Sequence, residues 1–218
     1  MIITTVKGPT LFINRQFAAV IFSAAIFTIA SHSSAAVVWN ESLNGDLSNS
    51  PTAPTSFNLS LGTNSLIATM PNDDLDFPTI VVPANSQLSS IILTGYQGVD
   101  EISFIAIGAG STLPAGVLAY DPTGLLGYAH FGPSADYTVG GDLFDGLSIP
   151  QDPLPGFTPP LPSGTYTLWI QQESFSDTGY SLDFIVTPAV PEPATALLLL
   201  IAGCSLACRR SRPSVHVA

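Results

Sequence analysis

Between Arg15 and Arg209 this 218-residue chain contains neither lysine nor arginine. Its five basic side chains are Lys7, Arg15, Arg209, Arg210 and Arg212, whereas every acidic residue except Glu192 falls between Ala36 and Val190. A body built from that stretch can form no conventional salt bridge, and His130 is its only side chain able to become a cation. Self-repulsion among about fifteen carboxylates destabilises a compact state at low ionic strength, and salt relieves it. Nucleic acid is excluded as an electrostatic partner, because neutralising phosphates takes basic side chains. Anionic polysaccharide and lipid headgroups are repelled too, unless divalent cations bridge them.

The pattern within this body is that of short strands. Thr55–Leu61, Ser65–Met70, Asp76–Val82, Gln87–Thr94, Glu101–Ile107, Leu125–His130, Thr165–Gln171 and Ser181–Thr187 are rich in Val, Ile, Phe, Tyr and Thr. Gly, Pro, Asn and Asp separate them. In Thr165–Gln171, Tyr166, Leu168 and Ile170 fall on one face and Trp169 on the other, the alternation of a strand. Leu61 to Asn64 reads as a hairpin connection. Helical periodicity is missing except for one turn within Gly141–Leu147. The stretch Thr138–Gly164 carries six prolines and reads as a long surface loop, densest at about 149–163. The expected fold is all-β, an antiparallel, jelly-roll-like β-sandwich over 37–188, flanked by an N-terminal signal helix and a C-terminal membrane helix.

Catalytic signatures are scarce. There is no His-Glu-x-x-His, no Gly-x-Ser-x-Gly and no phosphate-cradling glycine loop. His130 is the one candidate imidazole base, and a triad would need Ser and Asp beside it in space. Glu41, Glu101 and Glu173 offer carboxylates for glycoside hydrolysis, but a working pair needs a defined spacing in a cleft. The reading is therefore that the protein is not an enzyme. The sharpest local feature is Asn72-Asp73-Asp74-Leu75-Asp76. Asp73, Asp74 and Asp76, at a turn entering a strand, are candidate ligands for Ca²⁺, a hard cation that favours oxygen. A solvated acidic turn is the other reading of the same residues.

The ends are targeting segments. Lys7 and Arg15 precede an apolar stretch from Phe17 to Ala30 and a small polar run ending at Ala36, the pattern of a secretory signal peptide over 1–36 cleaved after Ala36. At the other end stand Pro191, Glu192 and Pro193, then an uncharged run over 194–208, then Arg209, Arg210 and Arg212, with a short tail over 213–218. As a helix that run would rise roughly 22 Å, short of the hydrocarbon core of about 30 Å. Its arginines hold one end cytoplasmic, so it suits transient membrane insertion. Cys204 and Cys208 lie in this run, which leaves the exported body without cysteine.

The segment 189–212 resembles the PEP-CTERM sorting signal of Gram-negative bacteria, in its Pro-Glu-Pro triplet, short membrane helix and basic cluster. The resemblance implies recognition by an exosortase near Pro191, Glu192 and Pro193, and delivery to the cell surface or an exopolysaccharide matrix. The body resembles bacterial pre-peptidase C-terminal domains. Gly45-Asp46-Leu47-Ser48 after Trp39-Asn40-Glu41, Asp76-Phe77, Leu88–Gly95, Leu161 to Ile170 and Tyr180 to Phe184 carry that likeness. It implies a jelly-roll-like sandwich with an accessory, non-catalytic role. The expectation is an exported surface or matrix protein, structural or adhesive, whose partners are the exosortase, the secretion machinery and exopolysaccharide or matrix components. A calcium-dependent carbohydrate-binding module is the alternative, and a small hydrolase the third reading.

Overall fold

The computed structural model describes residues 35–99, 101–173 and 176–189. Pro191, Glu192, Pro193, Arg209, Arg210 and Arg212, with the signal helix and the membrane helix expected from the sequence, lie outside the described residues. Among the described residues no helix is long and apolar enough to cross a membrane. The elements in chain order are β1 (Ala36–Asn40), α1 (Glu41–Asn44), β2 (Thr55–Asn58), β3 (Gly62–Met70), β4 (Leu75–Asp76) and β5 (Pro78–Gly98). They continue with β6 (Ser103–Ala109), a 3₁₀ turn (Ala115–Ala119), β7 (Leu125–Phe131), α2 (Phe144–Leu147), β8 (Leu161–Gln172) and β9 (Thr178–Pro188).

The strands form one hydrogen-bonded sheet in the order β1-β3-β9-β5-β8-β6-β7, with β2 joined to β5 and β4 to β8. The sheet is mixed, a correction to the antiparallel expectation: β1 runs parallel to β3 and β2 parallel to β5. Both parallel strands enter by crossing connections instead of tight turns. For the same reason Leu61 to Asn64 is no hairpin, since β2 and β3 pair with different partners. Asn64 is instead buried at the start of β3, where its amide donates to the carbonyls of Ser60 at 2.8 Å and Phe184 at 3.3 Å.

Most of Asp76–Val82 and all of Gln87–Thr94, expected as separate strands, belong to the single strand β5. Its ladder with β8 is interrupted between Val82 and Gln87, where Pro83 has no N–H to give and Asn85 takes a φ of 59°. Before this break β5 lies between β2 and β8; after it β5 pairs along its length with β9. The consequence shows in the rings. Phe131 of β7 sits 6.2 Å from Tyr180 of β9, although β6, β8 and β5 separate those strands in pairing order. A flat sheet would hold them roughly 19 Å apart at about 4.8 Å per strand. The sheet therefore folds back on itself around a core that includes Leu66, Met70, Ile91, Ile105, Leu168, Ile170, Leu182 and Phe184.

β8 alternates as its sequence predicts. Tyr166, Leu168 and Ile170 enter that core, while Trp169 joins a second apolar cluster with Phe77, Ala106, Leu113, Val117, Leu125 and Leu154. The proline-rich stretch is not only surface loop: Leu143, Phe144, Leu147 and Leu154 are buried. Asp142 fixes it by accepting from the backbone N–H groups of Ile91 at 3.1 Å and Phe144 at 3.0 Å. Gly127 of β7 lies so close beneath α2 that a Cβ there would collide with the Leu147 carbonyl oxygen.

Candidate functional site

The segment that follows β1 builds the site. Asn40 caps α1, its side chain accepting from the Ser42 N–H at 3.1 Å. Gly45 ends that turn with a φ of 90°, a conformation that favours glycine, and sends the chain back toward the sheet at Asp46. Trp39 Nε1 donates to the Gly45 carbonyl at 3.1 Å and ties the return to β1. Glu41 then spans two elements. Its Oε1 accepts from the Leu47 N–H at 3.1 Å, and its Oε2 from the Thr69 N–H at 2.6 Å and the Thr69 hydroxyl at 3.0 Å.

From the other side comes β4, whose two residues pair with Gln171 and Ile170 of β8. This holds Asp76 fully buried, with Oδ2 accepting from the Tyr180 hydroxyl at 2.8 Å. One carboxylate oxygen each from Glu41, Asp46 and Asp76 converge to within 4.8 Å of one another. Two ligand oxygens bound to one Ca²⁺ at about 2.3–2.6 Å span up to roughly 5 Å, so the spacing fits that ion. Asp74 is buried as well; its Oδ1 accepts from the Leu75 N–H at 3.0 Å.

Two oxygens stand out. Asp76 Oδ1 and Asp74 Oδ2 are buried without a hydrogen-bond partner among the described residues. Burial is the largest cause pushing the Asp76 carboxyl up to about 9, against the Tyr180 hydrogen bond, which lowers it; Glu41, Asp74 and Asp46 push it further up. Asp74 is raised by burial and then by Asp46, and the Tyr180 hydroxyl is held well above its ordinary value by burial and by Asp76. With no Lys or Arg in the body, Asp76 has two ways to lie here at neutral pH: it keeps its proton, or a cation shares its oxygens. The donor set is all oxygen, and a cavity of about 440 Å³ lined by Asn40, Glu41, Ser42, Asp46 and Thr69 opens to solvent beside Glu41 and Asp46.

Of the three aspartates singled out by sequence, the structure brings Asp76 into this cluster and sets Asp74 beside it. Asp73 is exposed, at a φ of 65° in the turn before β4. Glu41 and Asp46 were not among the ligands expected, because nothing local announces that residues some 30 positions upstream fold against Asp76. Ala36, the expected cleavage position, is the exposed first residue of β1, opposite Asn64. No protein-family model matches the chain, and neither a curated protein nor a solved structure matches it.

Proposed function

We propose that the protein is an exported surface or extracellular-matrix component, a non-catalytic jelly-roll-like β-sandwich with a structural or adhesive role, whose N-terminal segment is locked to the sheet by Ca²⁺. The observation that carries the reading is the convergence of Glu41, Asp46 and the fully buried Asp76 in a body without a single lysine or arginine. A buried carboxylate with an unpartnered oxygen is costly unless a proton or a cation accompanies it. A divalent ion would tie α1 and the Gly45–Asp46 turn to β4, and so the start of the exported chain to its core. The folded-back sheet supports the sandwich assignment. In this reading the signal peptide is removed after Ala36, an exosortase acts at Pro191, Glu192 and Pro193, and Arg209, Arg210 and Arg212 hold the tail in place until then.

The test is thermal melting of the chelated protein against added calcium, with magnesium as control. Extracellular calcium modules bind at about 10⁻⁴–10⁻³ M. Saturation to about 100 times Kd adds about 2.7 kcal/mol, a rise in Tm of about 5–10 °C for a domain of this size. A shift below one degree, or an equal shift with magnesium, would sink the calcium reading. For the route, replacing Pro191, Glu192 and Pro193 by alanine is expected to leave the protein in the membrane fraction; unchanged release would refute it.

A further inference from the structure

On the face of β6, β7 and β8 that carries Trp169, opposite the one Ile170 shares with its partner Asp76, is a second cluster of side chains that the sequence did not announce. The register places His130, Phe104 and Gln171 in one row across the three strands, and Tyr128, Ala106 and Trp169 in the next. Phe104 is the hub. It stacks on Tyr128 at 5.6 Å with 27° between planes, and meets Trp169 edge-on at 4.8 Å and His130 at 5.8 Å. Tyr120, left-handed at a φ of 60° after the 3₁₀ turn, stands 81% exposed at the rim. With Gln171 and Glu173 these groups line a cavity of about 350 Å³, within the size range of small-ligand sites.

We propose that this groove binds a neutral saccharide, with the aromatic rings as its floor and Gln171, Glu173 and His130 as its polar rim. The faces of aromatic rings carry negative quadrupole density and attract the C–H faces of a pyranose, while amide, carboxylate and imidazole take hydroxyl groups. Trp169 adds an independent sign: it is 95% buried, lines the cavity, and its indole N–H has no hydrogen-bond partner among the described residues. Such a donor is costly to bury unless something accepts from it. Charge narrows the occupant. A body with no lysine or arginine repels anionic sugars, and the Trp169 indole N–H needs an acceptor, which a sugar hydroxyl supplies and a quaternary ammonium does not. The site stands whether or not the carboxylate cluster takes calcium.

The experiment is titration of the full chain with neutral hexasaccharides (β-1,4-glucan, β-1,3-glucan and chitin series), alongside polygalacturonate and choline, read by tryptophan emission and calorimetry with and without EDTA. At least one neutral hexasaccharide is expected to bind in both buffers. Tyr120→Ala, which alters an exposed side chain, is expected to weaken that binding about tenfold, and Gln171→Ala several-fold, with the melting temperature unchanged. Failure of every neutral probe at millimolar concentration would overturn the proposal. So would preference for choline or polygalacturonate, or affinity indifferent to both substitutions. Binding lost in EDTA while the protein remains folded would assign it to the carboxylate cluster and equally overturn the groove.

Discussion

At the scale of single residues, Asp76 concentrates the electrostatic conflict of this molecule. It is fully buried, shares one hydrogen bond with Tyr180 and faces two further carboxylates. Asp76→Asn keeps the shape and the Tyr180 contact but spares the metal-free fold the cost of taking up a proton on a carboxyl that is ionised when unfolded and pushed up to about 9 by burial. The metal-free protein is therefore expected to melt higher than the parent, while the rise on adding calcium largely disappears; differential scanning calorimetry in EDTA and in calcium reads both. An unchanged calcium increment would show that Asp76 is not a ligand. Tyr180→Phe strips the one hydrogen bond from a buried carboxylate and is expected to cost about 1–3 kcal/mol in denaturant unfolding. Gly127 tests packing: Gly127→Ala drives a methyl into the Leu147 carbonyl, and a loss of about 1–3 kcal/mol is expected from that overpacking.

Among the elements, β5 and β8 organise the fold while β1 and α1 belong to the site. β8 pairs with β5 on one side and β6 on the other and buries both its faces, whereas β1 is an edge strand, exposed over its first residues. Amide exchange is expected to be slowest in β8 and the adjoining part of β5, and fast in β1 and α1. Calcium should slow exchange in 36–47 selectively, because Glu41 and Asp46 join that segment to β4. A uniform change across the sheet would speak for global stabilisation instead. The alternation of β8 was legible in its residues, since Tyr166, Leu168 and Ile170 are separated from Trp169 by strand periodicity alone. The parallel placement of β1 and β2 was not, because a strand carries no local mark of which partner it meets. Pro83 is the intermediate case: its missing N–H signals an interruption, and the register shows that β5 continues past it as one bent strand.

For the whole molecule, net charge is the dominant trait. About fifteen carboxylates repel one another over a Debye length of about 10 Å at 0.1 M salt. Raising sodium chloride from about 0.01 to 0.15 M is therefore expected to raise Tm gradually, through screening. Calcium should act differently, adding a rise that sets in near its Kd and grows with the logarithm of its concentration on top of that trend. If sodium chloride at matched ionic strength reproduced the whole calcium effect, site binding would be ruled out in favour of screening.

The sequence by itself determined the β character, the inward and outward faces of β8 and the absence of any basic counter-ion between Arg15 and Arg209, because these follow from composition and from a period of two. It pointed to Asp74 and Asp76 through their local density. Only the tertiary structure decided that Glu41 and Asp46 come to Asp76, that Asp73 turns outward, and that Phe104, Tyr128 and Trp169 share one face beside Tyr120. The physical reason is the same in each case. Convergence across 30 or more residues is set by strand pairing and by the fold of the sheet, and these are made by long-range contacts that no short window of sequence contains.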